Sequence, residues 1–190
     1  SLDRRQRQMC IRDSFSGTGT NLQSILHNEK KFNYKVISTF TNNPDAYGID
    51  ISKNFNVDCK ILDHKKFDSR EKFDAEIHAY LQTLNPDYVI LAGYMRILSN
   101  FLVDKWKQKI INIHPSLLPK YPGLNTHERA LLSGDKLHGT TIHYVTSDLD
   151  AGPIIRQQSI EIEADDTIES LTEKIKKLEN KIYPETISNL

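Results

Sequence analysis

Hydrophobic residues recur along this chain in two alternating rhythms. Runs that are continuously apolar, or apolar at every second position, fall at 34–41 (YKVISTFT), 57–62, 87–92 (DYVILA), 110–114 (IINIH), 138–145 and 154–162 (IIRQQSIEI), and they predict strands. Spacings of three and four predict helices at 22–26, 46–55, 67–84, 101–106, 126–132 and from Thr167 onward. Phe73, Ile77, Leu81 and Leu84 make one helical stripe, and Ile168, Leu171, Ile175, Leu178 and Ile182 make another. Both stripes read as core. Strands that alternate with helices predict an α/β fold, a Rossmann-like open, mostly parallel twisted sheet flanked by helices. Only residues 146–153 separate the last two strands, too few for a crossover, so an antiparallel strand pair is expected near the C-terminal part.

Residues 1–14 (SLDRRQRQMCIRDS) break the pattern. A parallel sheet should open on a buried strand of continuous Val, Ile and Leu. Here only Met9, Cys10 and Ile11 are apolar before Arg12 and Asp13 intrude. Two charges are costly to bury unpaired. Two readings follow: an edge or frayed strand, or a segment that is not the native start, since RQRQMCIRDS resembles translated sequencing-adaptor readthrough.

Composition narrows the classes. The 190 residues suit one domain with a sizeable core. Lys plus Arg and Asp plus Glu both total 25, so no basic excess points to nucleic acid. No apolar run approaches a membrane span, and the basic start has no apolar stretch behind it to make a secretory signal. Cys10 and Cys59 form neither a metal-ligand spacing nor a disulfide framework, which fits a cytoplasmic location. His138 and His143 have four residues between them, so a strand does not set both on one face to bind a metal.

The stretch 110–123, IINIHPSLLPKYPG, carries the candidate chemistry. Pro115, Pro119 and Pro122 stiffen the loop that follows the strand. Asn112 and His114, two apart on an extended segment, share a face. An amide donor beside an imidazole can bind a carbonyl oxygen and move a proton near it. Spacing alone favours the plainer reading, in which both cap a strand end. In SGTGTNLQSIL (16–26), glycines deliver the chain to a helix that Thr20 or Asn21 can cap, and a helix N-terminus of this kind suits an anion. The motif lacks the third glycine of the dinucleotide fingerprint and the Lys of a Walker loop. Tyr94, Met95, Arg96, Ile97 and Leu98 follow a strand's carboxyl end, where open α/β sheets bind ligands. A hydrophobic loop folded onto the core reads equally well there. Asp148 and Asp150 sit in a turn, SDLDAGP, where acids usually serve turn geometry.

NIHPSLLPKYPGLNTHERAL (112–131) closely resembles the signature of the folate-dependent phosphoribosylglycinamide formyltransferase family. SGTGTNLQSIL, FDSREKFD (67–74), LAGYMRILS (91–99) and HGTTIHYVTSDLDAGPII (138–155) match in the same order. The resemblance implies a single formyltransferase domain over 15–190. It implies transfer of a formyl group from the co-substrate 10-formyltetrahydrofolate to the amine of 5-phosphoribosylglycinamide, in de novo purine biosynthesis, with no metal. His114, Asn112 and Asp150 would be catalytic, with Asp150 reaching His114 and keeping it charged. Gly19, Thr20, Asn21, Lys176, Lys177, Leu178 and Glu179 would hold the ribonucleotide. Arg70, Met95, Arg96, Ile97, Leu98, Asn112, Thr146, Ser147, Asp148, Leu149 and Asp150 would hold the folate. Where the family has two glycines after that Asp, this chain has Ala151, a small change that should leave Asp150 in place. The implied partners are small molecules, without nucleic acid or membrane, in a monomer or homodimer.

Three other readings compete. A formyltetrahydrofolate hydrolase uses a similar Asn, His and Asp set with water as acceptor, but its relatives differ after the central His. A transformylase of aminoacyl initiator tRNA needs a basic surface. A folate- or nucleotide-binding module without activity would not need Asn112, His114 and Asp150 together.

Overall fold

The computed structural model describes residues 6–13, 19–93 and 97–190. Its strands are β1 (Arg7–Asp13), β2 (Tyr34–Thr41), β3 (Cys59–Ile61), β4 (Tyr88–Ala92), β5 (Ile110–His114), β6 (Leu137–Tyr144) and β7 (Ile154–Glu161). Among the described residues they form one sheet in the order β3-β2-β1-β4-β5-β6-β7. Pairing is parallel from β3 through β5, then antiparallel between β5 and β6 and between β6 and β7. The expected C-terminal pair is therefore present, and β6 also joins it to the parallel body.

The edge-strand reading of the first segment does not hold. β1 is paired on both sides, with β2 and with β4, and Met9 and Cys10 are buried.

The helices are α1 (Thr20–His27), α2 (Glu29–Phe32), α3 (Gly48–Asn54), α4 (Arg70–Leu84), α5 (Asn100–Lys105), α6 (Thr126–Leu132) and α7 (Ile168–Ser188). Sheet alternation sorts the core into two layers. Ile90 and Ala92 of β4 join Leu22, Ile25, Ile182 and Tyr183 beneath α1 and α7. Val89 and Leu91 join Phe73, Ile77, Leu81 and Trp106 beneath α4 and α5. Each Val, Leu, Ile or Phe among them, fully buried, contributes roughly 1.5–3 kcal/mol.

Local chemistry sets the helix ends. Ser69 accepts Lys72 N–H at 3.2 Å, so α4 starts at Arg70 rather than at 67. Thr167 and Ser170 form a reciprocal capping box on α7. At α1 the expected Thr20 or Asn21 cap is absent. Gly19 is the N-cap at φ 69°, a left-handed conformation that glycine adopts without cost. In the α7 stripe, Leu171, Ile175 and Ile182 are buried, but Ile168 is 43% exposed. No helix among the described residues is long and apolar enough to cross a membrane.

Candidate active site

Strand order reverses between β1 and β4, the position where open sheets leave a crevice beyond their carboxyl ends. A cleft of about 500 Å3 opens there, between the start of α1, the ends of β4 and β5, and one face of α7. Asn112 and His114 both line it, as the two-residue period of β5 requires.

The third group arrives from the loop between β6 and β7. Asp150 has φ 51° and a side chain 9% exposed. Its Oδ2 lies 3.4 Å from His114 Nδ1 and accepts Gly123 N–H at 2.8 Å. His114 Nε2 donates to the Tyr121 carbonyl at 2.9 Å. Both ring nitrogens thus face acceptors, an arrangement that a doubly protonated imidazole satisfies. The Asp150 turn closes at Gly152, where any Cβ would collide with the Tyr144 carbonyl. Ala151 is exposed and outside the left-handed region, so alanine is tolerated at that position.

His143 completes the group. It lies opposite Asn112 in the β5–β6 register. Its Nδ1 donates to the Tyr144 carbonyl at 3.0 Å, which leaves Nε2 to accept from Asn112 Nδ2 at 3.5 Å. Burial holds this ring below its ordinary titration range, against the opposing pull of the Tyr144 carbonyl and Asp150. His143 Nε2 is 3.8 Å from Asp150 Oδ1.

The loop after β5 is tied to β6. Thr140 Oγ1 donates to the His114 carbonyl at 2.9 Å, and Thr141 Oγ1 donates to the Ser116 carbonyl at 2.7 Å. Leu118 N–H returns a bond to Thr141 Oγ1 at 3.1 Å.

Toward α7 the cleft is polar. Glu179 is buried, accepts from Asn21 Nδ2 at 3.0 Å and lies 3.2 Å from Thr140 Oγ1, whose one proton it shares with the His114 carbonyl. Burial pushes its carboxyl up to about 7, against the two hydrogen bonds and the Lys176 charge. Asn21 Oδ1 is buried with no hydrogen-bond partner among the described residues, so it can accept from a bound molecule. Spacing along α7 brings Ile168, Thr172, Ile175, Lys176 and Glu179 to the cleft. His127 of α6 also faces it, with Nδ1 3.0 Å from His138 Nε2. Burial holds His127 down to about 4, helped by the charges of His138, His114 and Lys176.

Most of the expected site residues meet in this cleft. Thr20, Asn21, Ile97, Leu98, Thr146, Ser147, Asp148, Leu149, Lys176 and Glu179 line it with the central three. Gly19 is the buried turn residue just before it. Besides Gly19, three do not line it: Arg70 is exposed at the start of α4, Lys177 is exposed on α7, and Leu178 packs against the core. The helix period explains the last two, since positions one and two beyond Lys176 rotate off its face. Met95 and Arg96 lie outside the described residues. Sequence reasoning gave no role to Tyr121, His127, Thr140, Thr141 or His143. The strand alternation of 138–145 hinted only at Thr140, Thr141 and His143, and the roles of all five arise from contacts between separate segments.

A family model described as formyl transferase matches residues 14–187. A phosphoribosylglycinamide formyltransferase from Escherichia coli (strain K12) is 43% identical over 175 residues, which cover 91% of this chain and 82% of that protein. The solved phosphoribosylglycinamide formyltransferase from Coxiella burnetii superposes with a TM-score of 0.92 at 40% identity, over 97% of this chain and 86% of that one. The one from Bacillus halodurans gives 0.90 at 37% identity, over 96% and 94%. With its parallel body, antiparallel β6–β7 extension and cleft at the switch point, the chain belongs to the formyl transferase family, among the phosphoribosylglycinamide formyltransferases.

Proposed function

We propose that this chain transfers the formyl group of 10-formyltetrahydrofolate to the amine of 5-phosphoribosylglycinamide, releasing formylglycinamide ribonucleotide and tetrahydrofolate. The observation that carries this reading is the meeting of Asn112, His114 and Asp150 at the wall of one cleft. The amine attacks the formyl carbon, and the carbonyl electron pair moves onto oxygen. Asn112 Nδ2 and His114 Nδ1–H, which leaves its long 3.4 Å contact with Asp150 while Nε2 stays on the Tyr121 carbonyl, donate to that oxyanion, a form of stabilisation that is often the largest single contribution to catalysis. The carbon–nitrogen bond to the folate then breaks, and the leaving nitrogen takes a proton from His114. Asp150 takes the amine's proton through water and returns it to His114, which restores the ring for the next turnover. As written, the reaction uses no metal.

The two reactants differ as the two ends of the cleft do. Leu91, Ile97, Leu98 and Val145 offer an apolar slot for the flat folate ring. Thr20, Asn21, Lys176 and Glu179 offer donors, acceptors and a cation for a phosphorylated sugar. Thr146, Ser147, Asp148 and Leu149 would border the folate. Residues 15–190 are read as one domain, working in the cytoplasm on small molecules, as a monomer or homodimer. The test is tetrahydrofolate release, followed by absorbance with and without glycinamide ribonucleotide. Release that requires the acceptor supports transfer, whereas release without it selects hydrolysis.

A further inference from the structure

Residues 121–125 have an unusual backbone. Tyr121, Gly123 and Asn125 are all left-handed, at φ 55°, 77° and 57°. For Tyr121 that conformation costs on the order of 1–2 kcal/mol, whereas Gly123 and Asn125 adopt it more readily. A short segment of this kind persists only when its surroundings fix it. It also supplies one hydrogen bond to each proposed catalytic side chain that flanks it: the Tyr121 carbonyl accepts from His114, and the Gly123 amide donates to Asp150.

Arg129 of α6 fixes the segment. Its Nη1 donates to the Pro122 carbonyl at 2.7 Å and to the Leu124 carbonyl at 3.2 Å. Its guanidinium carbon lies 5.1 Å from the centre of the Tyr121 ring. The Tyr121 hydroxyl donates onward to Asp135 Oδ2 at 2.9 Å. Nη1 of a planar guanidinium can hold two carbonyls while its flat face stacks on a ring, whereas a lysine ammonium has donors but no plane to stack. Arg129 is not among the residues lining the cleft, so it would act only through the segment it clamps.

We infer that Arg129 is a positioning residue for formyl transfer, holding residues 121–124 so that the Tyr121 carbonyl sets the His114 ring and the Gly123 amide sets Asp150. The inference rests on the catalytic reading of His114 and Asp150.

The experiment compares full-length wild type, Arg129→Gln, Arg129→Lys and His114→Ala in the acceptor-dependent assay, with nitrogen NMR of the His114 ring. The expected result is a fall in kcat of about 10- to 100-fold in both Arg129 variants, the scale that small misplacements produce. The His114 Nε2–H signal should also lose its protection from exchange. Arg129→Lys should stay folded, since it keeps the charge and the helix propensity, so the comparison survives if Arg129→Gln does not. Activity within about twofold of wild type in a folded Arg129 variant, beside an inactive His114→Ala, overturns the inference alone. So does a loss of activity that tracks only the loss of folded protein, with the ring signal unchanged. Near wild-type turnover by His114→Ala instead sinks the functional reading beneath it.

Discussion

Asp150 Oδ2 stands 3.4 Å from His114 Nδ1 and 2.8 Å from the Gly123 amide nitrogen, so one buried carboxylate oxygen joins the imidazole to the loop that follows it. The contact bridges two segments that lie on either side of β6. It joins a strand end and a turn, each ordinary alone, into one polar group of side chains at the cleft wall.

Asp150→Asn should therefore impair chemistry more than folding. An amide oxygen can still accept Gly123 N–H, but the negative charge facing His114 is gone. Formyl transfer should fall by about 10²- to 10⁴-fold, the scale for general acid–base catalysis. Circular dichroism and the acceptor-dependent assay together check this.

Acid should loosen the cleft through His127. Its folded value of about 4 lies below the ordinary 6.5, so between these the unfolded chain binds a proton that the folded ring refuses. The stability is present above about pH 6.5 and is lost as pH falls toward 4. His138 is shifted down as well, chiefly by burial, and acts in the same direction. The stability of wild type minus that of His127→Gln, from urea midpoints across this range, should fall with acidification, a difference that isolates His127 from the opposing Glu179.

Glu179 predicts the opposite slope. Its value is raised from 4.5 to about 7, so the folded state holds a proton that the unfolded state has released. This group's contribution to stability declines as pH rises between those values. Ionisation then costs on the order of 3 kcal/mol at most. Glu179→Gln should abolish that decline. Subtracting the variant's stability from that of wild type at each pH isolates it from the His127 effect.

Gly152→Ala should be severe, unlike a change at Ala151. The added Cβ would be driven into the Tyr144 carbonyl, and neither backbone can yield without moving the Asp150 turn. A destabilisation of about 2–4 kcal/mol, with a parallel loss of activity, is expected by differential scanning calorimetry and assay. Ala151→Gly should change little.

Much of this architecture is visible in the sequence because periodicity is local. The period of two on β5 put Asn112 and His114 on one face, and the period of 3.6 on α7 marked Leu171, Ile175 and Ile182 as core. The same helix misled at Ile168, which begins the first turn and faces the cleft. β1 shows another limit: a charged run suggested an edge, yet pairing with both β2 and β4 sets it inside the sheet. The supporting contacts were not legible. His143 to Asn112, His127 to His138 and Arg129 to the Pro122 and Leu124 carbonyls are contacts that no periodicity marks.

The most direct measurement is tetrahydrofolate release by wild type and by folded His114→Ala, each with and without glycinamide ribonucleotide. Release by wild type should require the ribonucleotide, and His114→Ala should lose it by about 10²-fold or more. Release that ignores the acceptor, or that survives loss of the imidazole, would contradict the account.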